Sequence, residues 1–118
     1  MFKVIIAGGR NFKNYELLCS KCDKLLINQT NIEIVSGAAR GTDKLGEQYA
    51  DERGYSVKQF PANWNKFKRA AGFIRNQEMA EYADALIAFW DGTSKGTKHM
   101  IDIATNLKLK IRIVLYNK

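Results

Sequence analysis

Apolar residues fall in short unbroken runs, separated by stretches in which they recur at helical spacing. Val4-Ile5-Ile6 and Leu86-Ile87-Ala88-Phe89 are apolar at every successive position, the mark of strands covered on both faces. The pattern predicts strands over Phe2–Ala7, Ile32–Ser36, Tyr55–Phe60, Ala85–Trp90 and Lys110–Tyr116. It predicts helices over Asn14–Asn28, Thr42–Arg53, Lys66–Ala83 and Gly96–Leu107. In the first helix Tyr15, Leu18, Cys22, Leu25 and Leu26 share one face. Asn14 and Asn65 are placed to cap the first and third helices, and Gly54 to close the second. The only proline, Pro61, stands at a strand end.

Five strands alternating with four helices, with strands apolar on both faces, predict an α/β fold. With right-handed crossovers this becomes a three-layer Rossmann-like sandwich with a five-stranded parallel sheet. At 118 residues the chain is the length of one domain, expected over residues 1–118, and it shows no repeat or linker. No apolar run approaches the roughly 18–20 residues that span a membrane. The N-terminal run also lacks the longer apolar core and cleavage site of a signal peptide. A cytoplasmic location without a membrane partner is therefore expected.

Composition adds little to that picture, whereas charge adds more. The chain is 46% hydrophobic and 26% charged, enough apolar material for a core without a disulfide or metal staple. Its formal net charge is +7, which suits an anionic partner such as nucleic acid, a nucleotide or a phosphorylated metabolite. Residues 1–60 hold nine Lys/Arg against seven Asp/Glu, a net +2, and residues 61–118 ten against five, a net +5. Lys66, Lys68, Arg69 and Arg75 fall in one segment, and Lys95 and Lys98 lie further on.

Cys19 and Cys22 form a C-x-x-C pair. Redox pairs of this spacing open a helix, where the terminus lowers the thiol pKa, but this pair lies inside one. A zinc site needs about four ligands, and His99 is the only further candidate. Two reduced, half-buried thiols are expected, with no metal and no cofactor.

In a parallel sheet of this kind, ligands bind beyond the carboxyl ends of the strands, near the point where strand order reverses. Three glycine-rich loops follow strands one, two and four: Gly8-Gly9-Arg10-Asn11-Phe12, Ser36-Gly37-Ala38-Ala39-Arg40-Gly41-Thr42-Asp43 and Asp91-Gly92-Thr93-Ser94-Lys95-Gly96-Thr97. Each leads towards a helix N-terminus, whose free amides and dipole attract an anion. Ser94 and Thr97 add hydroxyls, and Arg10 and Arg40 add planar forks that match phosphate oxygens. Neither a G-x-G-x-x-G nor a Walker lysine pattern is present. On the third helix, Arg75 and Asn76 follow the small residues Ala70-Ala71-Gly72. Arg10, Arg40 and Arg75 are expected to converge with the Gly96-Thr97 turn on one anion-binding cleft. Trp64 and Trp90 are read first as packing residues and second as platforms for a base.

Taken together, Gly8-Gly9-Arg10-x-Phe12, Ser36-Gly37-x-Ala39-Arg40-Gly41-x-Asp43, Pro61-Ala62-x-Trp64, Ala70-Ala71-Gly72-x-x-Arg75-Asn76-x-x-Met79 and Ser94-x-Gly96-Thr97-x-x-Met100 resemble the YspA-like family of the SLOG superfamily. That superfamily includes the cytokinin-activating lonely guy proteins and the DNA-processing protein DprA. The resemblance runs from residue 2 to about residue 115. It implies a Rossmann-like domain that binds nucleotides or their derivatives, such as those of NAD or ADP-ribose, in bacterial or phage settings. It implies ligand-binding roles for Gly8, Gly9, Arg10, Ser36, Gly37, Arg40, Gly41, Asp43, Arg75, Asn76, Asp91, Ser94, Gly96 and Thr97.

One departure bears on catalysis. Lonely guy enzymes cleave the N-glycosidic bond of a nucleoside monophosphate, using an arginine on the third helix and a glutamate in a late G-G-x-G-T-x-x-E loop. Met100 stands here where that glutamate would be, and a thioether cannot take a carboxylate's part. Arg75, Asp91 and Asp43 remain the catalytic candidates. The first reading is therefore binding or sensing of a nucleotide-like small molecule. The alternatives are an N-glycosidase of the phosphoribohydrolase type and, in the manner of DprA, a nucleic-acid binder. Related folds often pair through helices beside the cleft, so a homodimer is an expectation by analogy.

Overall fold

The unbroken apolar runs become central strands because helices bury both of their faces. The computed structural model describes residues 1–117. Its strands are β1 (Phe2–Gly8), β2 (Ile32–Ser36), β3 (Ser56–Gln59), β4 (Ala85–Trp90) and β5 (Lys110–Leu115). The helices are α1 (Tyr15–Leu26), α2 (Thr42–Arg53), α3 (Trp64–Phe67), α4 (Ala71–Tyr82) and α5 (Lys95–Asn106). All four strand pairings are parallel and the order is β3-β2-β1-β4-β5. The expected five-stranded parallel Rossmann-like sheet is thus the one observed.

Alternate residues of the central strands feed two cores. Val4, Ile6, Ile34, Ile87 and Phe89 pack with Leu18 and Cys22 of α1 and Tyr49 and Ala50 of α2. Ile5, Val35, Leu86 and Ala88 pack with Met79 and Ala80 of α4 and Met100 and Ala104 of α5. The chain first moves from β1 to β2 and β3, then crosses back to β4 and β5. β1 is therefore the point of reversal, and its last residue, Gly8, pairs with Phe89 of β4. Edge strand β3 is exposed at all of its residues. No helix among the described residues is long and apolar enough to cross a membrane.

The caps mostly follow the expectations. The Asn14 side chain accepts from the Leu17 N–H at 3.1 Å. Gly54 ends α2 in the left-handed conformation, donating to Ala50 and Asp51. The third helix departs from its expected span, Lys66–Ala83. A short α3 is capped not by Asn65 but by Asn63, whose side chain accepts from the Lys66 N–H at 3.1 Å. Lys68 then has φ +54, which no α-helix accommodates. A single 3₁₀ turn over Lys68–Ala70 re-aims the chain into α4. Periodicity predicts a helix on both sides of Lys68 and is blind to one residue of reversed φ. Cys19 and Cys22 are free thiols inside α1, and among the described residues no group of three His, Cys, Asp or Glu could hold a metal ion.

Candidate ligand-binding cleft

At the carboxyl edge of the sheet the loops after β1, β2 and β4 meet the start of α4 around a cavity of about 920 Å³. Volumes of roughly 300–1,000 Å³ are usual for small-molecule sites. A second cavity of about 380 Å³ adjoins it below Pro61 and Ala62.

The backbone is shaped to leave this space open. Gly41 has φ +78, and a side chain there would run into the Arg10 carbonyl. The β1 and β2 loops are also tied to each other. The Gly9 carbonyl accepts from the Thr42 N–H at 3.2 Å and from Thr42 Oγ1 at 3.0 Å. Asp91 shapes the third loop: its Oδ1 accepts from the N–H groups of Thr93 at 2.9 Å and Ser94 at 2.8 Å.

Arg75 is buried on the floor of the cleft. Its Nη1 donates to the Gly37 carbonyl at 2.6 Å and its Nε to Asn76 Oδ1 at 3.1 Å. Asn76 in turn reaches the Gly96 carbonyl at 3.4 Å and His99 Nδ1 at 3.2 Å, so the start of α5 is linked to Arg75 through α4. Asp43, also buried, accepts from the Ala39 N–H at 3.1 Å. Burial pushes the Asp43 carboxyl up to about 6, against the pull of the Ala39 bond and the Arg75 charge. Burial lowers the Arg75 pKa, while Asp43 opposes that shift. Arg10 and Arg40 are exposed at the rim. The Arg10 guanidinium lies over the Trp64 ring, 5.8 Å from its centroid, within cation–π range.

Eleven of the fourteen expected binding residues line the large cavity: Gly8, Gly9, Arg10, Arg40, Asp43, Arg75, Asn76, Asp91, Ser94, Gly96 and Thr97. Gly37 lines the smaller one. Ser36 and Gly41 line neither. Ser36 is turned inward, its Oγ donating to Glu47 Oε2 at 2.6 Å and accepting from the Ala38 N–H at 3.1 Å. Gly41 serves the turn described above.

The two hydroxyls expected to face a phosphate contact each other, Thr97 Oγ1 donating to Ser94 Oγ at 3.3 Å. Met100 lines the cavity while almost fully buried. Trp64, half exposed, lines both cavities, whereas Trp90 donates through its ring nitrogen to the Ser94 carbonyl at 3.1 Å. Sequence reasoning missed Tyr116, whose hydroxyl occupies the space that a Gly9 side chain would need. It closes the wall by packing on Phe12, with ring centroids 4.7 Å apart. Tyr116 follows the last strand, far along the chain from every glycine loop, and carries no local signal. Arg69, in the turn after Lys68, and Phe73, on α4, also line the cavity.

A doubly wound parallel sheet with its cleft at the point of strand reversal places the chain among Rossmann-like α/β proteins. The family described as YspA, cpYpsA-related SLOG matches residues 2–67, and the chain belongs to that family. Among solved structures it resembles the X-ray structure of the structural-genomics protein TM1055, with TM-score 0.69 and 19% identity over 94% of this chain and 72% of that one. It also resembles the X-ray structure of DNA processing protein A (DprA) from Streptococcus pneumoniae, with TM-score 0.75 and 15% identity over 96% of this chain. The chain spans 50% of that DprA chain. At such identities the likeness is one of fold. No curated protein matches the chain.

Proposed function

We propose that the chain binds or senses a nucleotide-derived ligand in the large cavity. The observation that carries this reading is the convergence of Arg10, Arg40 and Arg75, from three separate elements, on one cavity that also reaches the first turn of α5. Guanidinium groups and a helix N-terminus both favour an anion. The ligand's phosphate sits against Gly96, Thr97 and the rim arginines, and its ribose and base lie nearer Gly8 and Gly9. Derivatives of NAD or ADP-ribose fit this class.

Binding is favoured over turnover by the fate of each candidate acid. Met100 offers no carboxylate. Asp91 is committed to the turn before α5, and Asp43 lies under the Ala39 amide. The N-glycosidase reading would need one of these two, with Arg75, at the anomeric carbon. A nucleic-acid reading draws on the fold likeness to DprA, by name a DNA-processing protein, and on the net charge of +7.

Isothermal titration of AMP, ADP, ADP-ribose and NAD against the wild type, Arg10→Ala and Arg40→Ala tests the reading. Both arginines are exposed, so both variants are expected to fold. A lost charge-assisted hydrogen bond is worth about 1.5–3 kcal/mol, hence a tenfold or greater loss of affinity. Unchanged affinity in both variants would remove the arginines from the site. Release of free base would shift the assignment to an enzyme. Binding of single-stranded DNA alone, with a steep salt slope, would shift it to nucleic acid.

A further inference from the structure

The two cavities share five lining residues: Arg10, Ala39, Arg40, Trp64 and Arg75. Their remaining walls differ in charge. Asp43 and Asp91 line the large cavity only. The small one is lined by Gly37, Ala38, Pro61 and Ala62 besides the shared five, so it carries three guanidinium groups and no carboxylate. At about 380 Å³ it is large enough for a phosphate with part of a sugar attached, by the scale of small-molecule sites. One wall is the Trp64 ring, half exposed and already beside the Arg10 guanidinium.

Arg75 faces this arrangement from below. Its Nη1 and Nε are engaged by Gly37 and Asn76, whereas Nη2 has no hydrogen-bond partner among the described residues. Gly37 leaves the guanidinium room: a Cβ there would lie 2.7 Å from Nη1. Asp43, which accepts from the Ala39 N–H, is the acid that acts on Arg75; three guanidinium groups outnumber it here and favour an anion.

Resting on the nucleotide reading above, we propose that the small cavity is a second anion subsite. The ligand class is then a nucleotide with a second phosphate group, one phosphate at the start of α5 and the other beneath Trp64. Two chemistries meet that description: a nucleoside bisphosphate, and a nucleoside diphosphate joined through its pyrophosphate to a second group. A plain mononucleotide leaves the small cavity unused.

The experiment is calorimetric titration of AMP, adenosine 3′,5′-bisphosphate and ADP-ribose into the wild type and Ala62→Glu. Ala62 lines the small cavity and not the large one, so the new carboxylate acts first on an anion in the second subsite. The expected result is that the bisphosphate or ADP-ribose binds the wild type at least tenfold more tightly than AMP, the size of one charge-assisted hydrogen bond. Ala62→Glu should then weaken that ligand tenfold or more, and AMP, which meets only the shared arginines, by several-fold less. Which of the two gains affinity identifies the chemistry. If AMP binds as tightly as both, the subsite is refuted while the nucleotide reading stands. If no nucleotide binds the wild type, that reading fails and the subsite with it. Should Ala62→Glu fail to fold, as judged by circular dichroism, the wild-type comparison alone decides.

Discussion

Replacing Asp43 by asparagine should change the pH dependence of stability in a calculable way. The Asp43 carboxyl is 7% exposed, and burial raises its pKa from 3.8 to about 6 in the folded chain. In the unfolded chain it returns to about 3.9. A folded-state pKa above the unfolded one means that the native state holds the proton more tightly. The resulting stabilisation is fully present below about pH 4 and is lost as pH rises through about 6. Two pKa units correspond to about 3 kcal/mol. Asparagine has nearly the same shape, keeps an oxygen for the Ala39 N–H and does not titrate. Urea denaturation of both proteins at pH 4 and pH 7 isolates this contribution, because every other titrating group is common to both. Because the unfolded carboxyl is already about half ionised at pH 4, the variant should gain about 2 kcal/mol of this on the wild type between pH 4 and pH 7. A flat difference, or a variant that loses ground as pH rises, would refute the reasoning. It would mean that the Arg75 charge outweighs the burial of Asp43.

Gly37→Ala would place a methyl 2.7 Å from Arg75 Nη1 and 2.8 Å from Asp43 Oδ2; it should cost about 1–3 kcal/mol by overpacking and weaken anion binding, read by thermal melts and titration. Phe89→Ala empties a fully buried site that stacks on Phe12 at 5.2 Å, and a loss of about 3–5 kcal/mol is expected in denaturant titrations. Burial pushes the Cys22 thiol up to about 12. A disulfide reagent at pH 8 should therefore label at most one thiol in the native chain and two after unfolding; fast native labelling of both would contradict the placement of Cys22.

The fold was legible because its information is local and redundant. Runs such as Val4-Ile5-Ile6 demand cover on both faces, and helical spacing between them leaves few arrangements other than a parallel sheet with a layer on each side. The candidate cleft was legible for a related reason: in such a sheet the loops after β1, β2 and β4 share one edge, whatever their sequences. That argument places eleven of the fourteen expected binding residues on the large cavity. It cannot say which way a loop side chain turns. Ser36 looks identical in the sequence whether it faces a ligand or, as here, bonds inward to Glu47.

What stayed hidden depends on contacts between distant residues. The reversed φ of Lys68 splits a helix whose periodicity runs on unbroken. Tyr116 reaches Gly9 only because β5 lies beside β4. Burial decides that Asp43 holds its proton up to about pH 6, and burial belongs to the assembled molecule, not to any segment of it. Periodicity along a chain encodes which faces must be covered; desolvation, backbone reversal and the meeting of chain ends exist only once the chain has closed on itself.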